Sequence, residues 1–305
     1  MKAWLAALSR HGPAVLAAGV LLGLAWPALA ALAKPGMGAA VFCFLLGSFL
    51  RLDLAQARRG LAQWRLSLLA PLWLMLALPL GLGLLARALG LESSLALALA
   101  LACAAPPSSG NAALARMLGM DADSALLVTL IAMLLAPLTL PLVLSLLGAQ
   151  NLALDPGQLA QRLLLMLGAS AGLAWLWRRL AGAALQRQAL LVDAGVLLAL
   201  VVFALATMAG VRELLLADPR QAGFLLSLAY ASNLTMQLLT GLFMPGPRHL
   251  RLTLALTGGN RNVGLIWSAL GAALSPAMAL YFACTQLPIY TLPRLLQALL
   301  ARLNR

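Results

Sequence analysis

The run Leu256 to Leu265 reads Leu-Thr-Gly-Gly-Asn-Arg-Asn-Val-Gly-Leu, which puts an arginine between two asparagines inside an apolar stretch. An arginine at membrane depth costs about 2.5 to 3.5 kcal/mol on insertion scales, so such residues face a cavity or a partner. Its guanidinium carries five N–H donors in a planar fork and no acceptor. Arg261 can therefore receive an anionic ligand or stand as a fixed positive charge. Alternatively it pins the structure, holding carbonyls freed by a broken helix or pairing with Asp121 or Asp123. A second stretch, Ala104 to Leu118, interrupts another long apolar run. Pro106 and Pro107 remove two backbone donors and Gly110 adds freedom, with Ser108, Ser109 and Asn111 beside the break. The two serines can cap the half-helix that re-enters, or help its N-terminus attract an anion. Asn111, Asn260 and Asn262 can bind ligand or satisfy broken backbone. Asn233, among Tyr230, Ser232, Thr235 and Gln237, makes its own segment polar enough for a cavity wall or for interhelical hydrogen bonding.

Other chemistries have less to stand on. Nucleophilic catalysis needs a base within hydrogen-bond reach, and the two histidines, His11 and His249, lie at segment ends. No enzyme activity is expected. Cys43, Cys103 and Cys284 lie in apolar segments without C-x-x-C spacing, so neither a disulfide framework nor a zinc site is indicated. The net charge of +13 comes from basic residues placed between apolar segments, which disfavours nucleic acid and fits the positive-inside rule.

The elements that must position these residues are membrane spans. The 305 residues are 63% hydrophobic and 10% charged, with mean hydropathy +0.96, values that exclude an ordinary soluble domain. The expected partner of the surface is therefore a lipid bilayer. The N-terminal flank Lys2 to His11 and the run Pro13 to Leu32 have the outline of a signal peptide. The run is long enough to cross a bilayer, so it reads as a retained first span. Nine more segments follow, near Met37–Leu50, Leu66–Ala86, Leu95–Leu118, Ser124–Leu147, Leu159–Leu180, Leu190–Val211, Gly223–Phe243, Leu250–Leu270 and Met278–Leu299.

Segments four and nine hold the two breaks, half a chain apart, and each Gly-Asn pair is followed by a proline pair, Pro137 and Pro141 or Pro288 and Pro293. This reads as an internal repeat, residues 1–149 and 150–305. With five spans in each half the second enters from the opposite face, so the repeat becomes an inverted one, the arrangement of many secondary transporters. Ten spans leave both termini on one side. An N-in topology puts Lys34, Arg87, Arg162, Arg212 and Arg220 outside and the other basic residues except Arg261 inside, which favours cytoplasmic termini. The expected location is the bacterial inner membrane. The sequence sets no oligomeric state.

These residues resemble the bile acid:sodium symporters. The likeness is loose over most of the chain and best at Gly47-Ser-Phe-Leu-Arg-Leu-Asp53, at Cys103 through Pro141, at Ser232-Asn233 and at Gly259 through Leu265. It implies an all-α polytopic fold of ten helices in panel and core domains, with helices four and nine broken and crossing. It also implies secondary transport of a small organic anion by alternating access, with a channel or a non-transporting sensor as the other use of such a scaffold. In the resemblance Asn111 and Thr129 match sodium ligands, but Gly110 replaces a serine, Thr257 a glutamate, Arg261 a glutamine and Leu74 another glutamine. A hard cation needs several oxygen ligands, and a guanidinium offers none. The implied sodium site is therefore degenerate, and no other cofactor is expected.

Overall fold

The computed structural model describes residues 12–51, 64–148 and 155–303. The N-terminal flank Lys2 to His11, Asp53 of the Gly47 motif and most of the polar stretch between the halves lie outside those residues. Among the described residues every regular element is helical, apart from one isolated antiparallel bridge between Pro107 and Arg261. Six stretches are long and apolar enough to cross a membrane: Pro27–Leu50, Leu68–Ala88, Ala122–Leu147, Pro156–Gly182, Leu190–Ala217 and Pro219–Phe243. This is an all-α integral membrane protein.

The chain divides into two compact units, one of Met1–Leu52 with Leu164–Ala222 and one of Asp53–Leu163 with Gly223–Arg305. In the first unit, α1 (Gly12–Ala25), α2 (Pro27–Ala33) and α3 (Met37–Leu50) pack on a later helix, Ala189–Ala206. Small residues permit the approach. A Cβ on Gly19 would come within 3.2 Å of the Ala204 side chain, and one on Gly23 within 2.8 Å of Met208.

The boundary between the first two segments differs from expectation. The helix is interrupted at Trp26 (φ −126°, ψ 81°), because a residue before proline avoids the helical region and Pro27 has no N–H to continue the ladder. Lys34–Gly36, expected to separate the segments, passes as one 3-10 turn between α2 and α3, since Pro35 sits in its opening positions where no donor is needed.

The second unit contains α4 (Trp64–Leu72), a π-helical turn at Trp73–Ala77, α5 (Leu78–Ala88), α6 (Ser93–Ala104), α7 (Asn111–Met117) and α8 (Ala122–Leu147). After α9 (Pro156–Arg187), α10 (Ala189–Ala206) and α11 (Val211–Ala217) come α12 (Pro219–Phe243), α13 (Arg248–Gly259), α14 (Val263–Leu270) and α15 (Pro276–Leu303). The two expected breaks are present. α6 and α13 have 12 residues each, about 18 Å of helix at 1.5 Å per residue, too short to cross a bilayer. Each is followed by a short helical piece, α7 or α14.

Arginines satisfy helix ends that leucine-rich neighbours cannot. Arg87 donates to the Leu147 carbonyl at the end of α8, and Arg162 Nη1 to Ala269 and Leu270 at the end of α14 at 3.0 and 3.2 Å. Arg178 bonds Leu50 at the end of α3, and Arg212 bonds Ala25 at the end of α1. The last carbonyls of a helix have no internal donor and carry the negative end of its dipole, so a guanidinium serves both needs.

Candidate functional site

The two breaks meet. Ser108 N–H donates to the Asn260 carbonyl and Asn262 N–H to the Pro106 carbonyl, both at 2.8 Å, which makes the antiparallel bridge centred on Pro107 and Arg261. Donors that a continuous helix would use internally are thus exchanged between the interruptions. The irregular backbone is tolerated because protein surrounds it: Pro106, Pro107 and Arg261 are all buried. The pairing is extended by side chains. Asn111 Nδ2 donates to the Asn260 carbonyl at 3.2 Å, and Asn260 Nδ2 returns a bond to Asn111 Oδ1 at 2.7 Å.

Arg261 lies at the centre, 5% exposed, and its side chain reaches three helices. Nε donates to Gly258 at 2.7 Å, Nη1 to Ala105 at 3.0 Å and Nη2 to Leu74 at 2.8 Å, all backbone carbonyls. Each of these carbonyls has lost its helical donor for a reason written in the chain. The Gly258 carbonyl would take the Asn262 N–H, which has gone to Pro106. Ala105 lies beyond the end of α6. Leu74 lies in the π-helical turn, where Leu78 N–H bonds Trp73 five residues back, so the next donor in that register would be residue 79, a proline. Among the described residues no carboxylate pairs with Arg261. Asp121 caps α8 instead, accepting from Ser124 N–H at 3.0 Å and from its hydroxyl at 2.7 Å.

The remaining predicted residues take the following places. Asn262 caps α14, its Oδ1 accepting from Leu265 N–H at 3.2 Å, while its buried Nδ2 has no partner among the described residues. Asn233 Nδ2 holds the Gly259 carbonyl at 2.7 Å and is steadied by Gln237. The serines do not cap α7. Gly110 holds the cap position without a side-chain bond, because the bridge fixes the Ser108 backbone, and Ser108 Oγ reaches only the Gly110 N–H at 3.4 Å. Thr257 and Thr129 stay outside the network: Thr257 bonds the Thr253 carbonyl on its own helix, and the buried Thr129 hydroxyl has no described partner.

These contacts decide whether the residues suit sodium. The Thr257 hydroxyl is turned to its own helix, and the carbonyls of the crossing are held by a cation of the protein's own. A sodium ion asks for several oxygen ligands, usually with a carboxylate among them, and the buried Arg261 charge repels a second cation, so the residues do not fit it.

A small cavity of about 20 Å³ lies beside Arg261, lined by residues that include Cys103, Ser232, Asn233, Tyr281 and Thr285. That volume holds about one water-sized group. Sequence reasoning missed Tyr281, Thr285 and the Leu74 carbonyl. The two side chains lie in the tenth segment, where Gln286 and Thr291 give polarity of the same kind and no break singles them out, while Pro71 and Pro79 flanking the π-helical turn were the available signal for Leu74. No protein-family model and no curated protein matches this sequence.

Proposed function

We propose that the chain is a secondary transporter of a small organic anion, working by alternating access and related to the bile acid:sodium symporters. The observation that carries this reading is a buried guanidinium with no carboxylate partner among the described residues, held at the meeting point of two broken helices beside a cavity. An intramembrane charge of this kind marks a substrate pathway by default. Paired interruptions in corresponding places of two halves are the signature of a transporter site.

The division of the chain supports an inverted repeat of residues 1–149 and 150–305. One unit draws on segments one, two, six and seven, the other on three to five and eight to ten, so each takes the same parts of both halves. Ten spans then run with α1 as the first and Pro27–Leu50 as the second. Lys34 moves from a loop into that second span. Three of the four remaining outside arginines, Arg87, Arg162 and Arg212, hold helix ends, as Arg178 does on the inside, so the bias rests on the count of basic residues. Sodium coupling is not part of this reading, because a tethered cation holds the carbonyls an ion would need.

The deciding experiment is flux of a panel of organic anions by the purified protein in liposomes, with and without sodium and proton gradients. Saturable uptake with countertransport, unchanged by sodium, is expected. Unsaturable conduction would make it a channel, and binding without uptake a sensor. Single cysteines at Ala3 and Asn304 should be labelled from the same face. Labelling from opposite faces would end the ten-span count.

A further inference from the structure

Arg261 holds a full positive charge inside the protein, and among the described residues no carboxylate neutralises it. The carbonyls of Leu74, Ala105 and Gly258 offer it partial charges only. A cation taken out of water is stable when hydrogen bonds and an opposite charge both compensate it, and here only the hydrogen bonds are supplied by the chain.

Donors remain to hold an opposite charge. Nε, Nη1 and Nη2 each spend one hydrogen on a carbonyl, which leaves one N–H on Nη1 and one on Nη2. Asn233 keeps another. Its Oδ1 accepts from Gln237 and one Nδ2 hydrogen goes to the Gly259 carbonyl, so the amide is fixed in orientation with its second N–H uncommitted. Arg261 and Asn233 both line the cavity, and the bond from Asn233 to Gly259 ties α12 to the break that carries the arginine.

The rest of the lining selects among anions. Ala229, Met236, Val263 and Ile289 are apolar, and the hydroxyls of Ser232, Tyr281 and Thr285 bond one another or carbonyls of their own helices. Phosphate or sulfate spreads its charge over several oxygens and asks for more donors than these, and a cavity of about 20 Å³ has no room for it. A halide is spherical, is a little larger than water, and accepts a few N–H groups on one side with alkyl groups on the other. The hydroxyl lone pairs oppose an anion, but they carry partial charges against the full charge of the guanidinium.

We propose that the cavity is a chloride site, in which one dehydrated chloride ion rests against the unspent N–H groups of Arg261 and Asn233 and serves as the counter-ion of the arginine. The site goes beyond the transport reading and does not depend on it, since the buried charge needs compensation whether the chain carries, conducts or senses an organic anion.

The test uses the full chain in lipid nanodiscs, in sulfate buffer of constant ionic strength. Equilibrium dialysis against radioactive chloride should show saturable binding of one ion per chain. Bromide should displace it at least as well as chloride, and fluoride about tenfold less well or worse, because an apolar lining compensates least the ion that is hardest to dehydrate. Ala229→Val fills the cavity and leaves the hydrogen bonds in place, so it should abolish binding in a protein whose thermal unfolding shows it folded. Arg261→Gln should abolish it as well. No saturable binding up to physiological salt overturns the proposal and leaves water as the occupant. Displacement by fluoride as strong as by bromide overturns it in favour of a hydrated surface site, and binding that survives Ala229→Val places the ion elsewhere and overturns it too. Flux of organic anions enters none of these readings, so failure here and failure of the transport reading are separate results.

Discussion

The two breaks have similar sequences, Ser-Ser-Gly-Asn and Thr-Gly-Gly-Asn, and are made in different ways. The first is made covalently: Pro106 and Pro107 delete the helical donors of Ala102 and Cys103, and the Ala105 carbonyl is left over where α6 ends. The second is made by side chains. Gly258 and Gly259 let neighbours approach, Asn262 caps the new helix, and Arg261 carries donors to carbonyls on three helices. Backbone and amide bonds run both ways between the interruptions, but only the second brings a charged donor, Arg261, whose guanidinium takes up carbonyls that the neighbouring elements leave over. Two breaks of similar sequence need not carry the same charge to pair.

The largest effect should come from removing the donor side. Arg261→Gln leaves at least one of the carbonyls of Leu74, Ala105 and Gly258 without a partner, and more where the shorter side chain does not reach, since an amide has two N–H groups. At about 1–3 kcal/mol for each buried orphan, the loss should be several kcal/mol, read as a large drop in unfolding temperature in detergent. Arg261→Lys should recover only part of it, because a point charge cannot hold three carbonyls in fork geometry. A loss below about 1 kcal/mol for Arg261→Gln would show that the carbonyls find other donors, and the contrast between the breaks would collapse.

The glycines offer a sharper and smaller test. A Cβ on Gly259 would stand 2.5 Å from both Cγ and Nε2 of Gln237, so Gly259→Ala must push that side chain away and loosen its bond to Asn233. A cost of about 1–3 kcal/mol is expected. Gly110 in the first break has φ −74° and nothing nearer to its missing Cβ than Ser108 Oγ at 3.8 Å. Gly110→Ala should therefore be neutral or stabilise by about 0.4–1 kcal/mol, through the lower entropy of the unfolded chain. If both substitutions cost the same in thermal unfolding, the close packing assigned to the second break is wrong.

Both interruptions were legible because proline and glycine pairs at membrane depth act on the backbone locally. Their pairing was legible only as a repeat. Which carbonyl Arg261 takes depends on the register of three segments at once, and Leu74 becomes an acceptor only because the helix widens at Trp73–Ala77. No local propensity fixes that. The polar residues of segment eight were left between cavity wall and interhelical bonding, and they do both: Asn233 bonds Gly259 while lining the cavity. The start of the second segment was misjudged because Lys-Pro-Gly looks like a turn, whereas Pro27, one residue after Trp26, is where the ladder fails.

The smallest effect separates the helix caps of the two halves. Asp121 caps α8 with a carboxylate, and Asn262 caps α14 with an amide. Partial burial pushes the Asp121 carboxyl up, but hydrogen bonds from the Ser124 N–H and hydroxyl and from the Asp123 N–H outweigh it and hold the group below its ordinary range. A carboxyl whose folded pKa is depressed adds stability above the unfolded pKa, and that stability is lost as the pH falls through the folded value. The cap in the first half should therefore weaken in acid while the one in the second does not titrate. Each should be worth about 1 kcal/mol against alanine at neutral pH. Asp121→Asn keeps an accepting oxygen, so it should lose less than Asp121→Ala at pH 7 and should flatten the acid limb of the unfolding-temperature profile. The Asn262→Ala deficit should stay constant across the same range. If Asp121→Asn leaves the acid limb unchanged, another carboxylate governs it, and the two caps differ in name only.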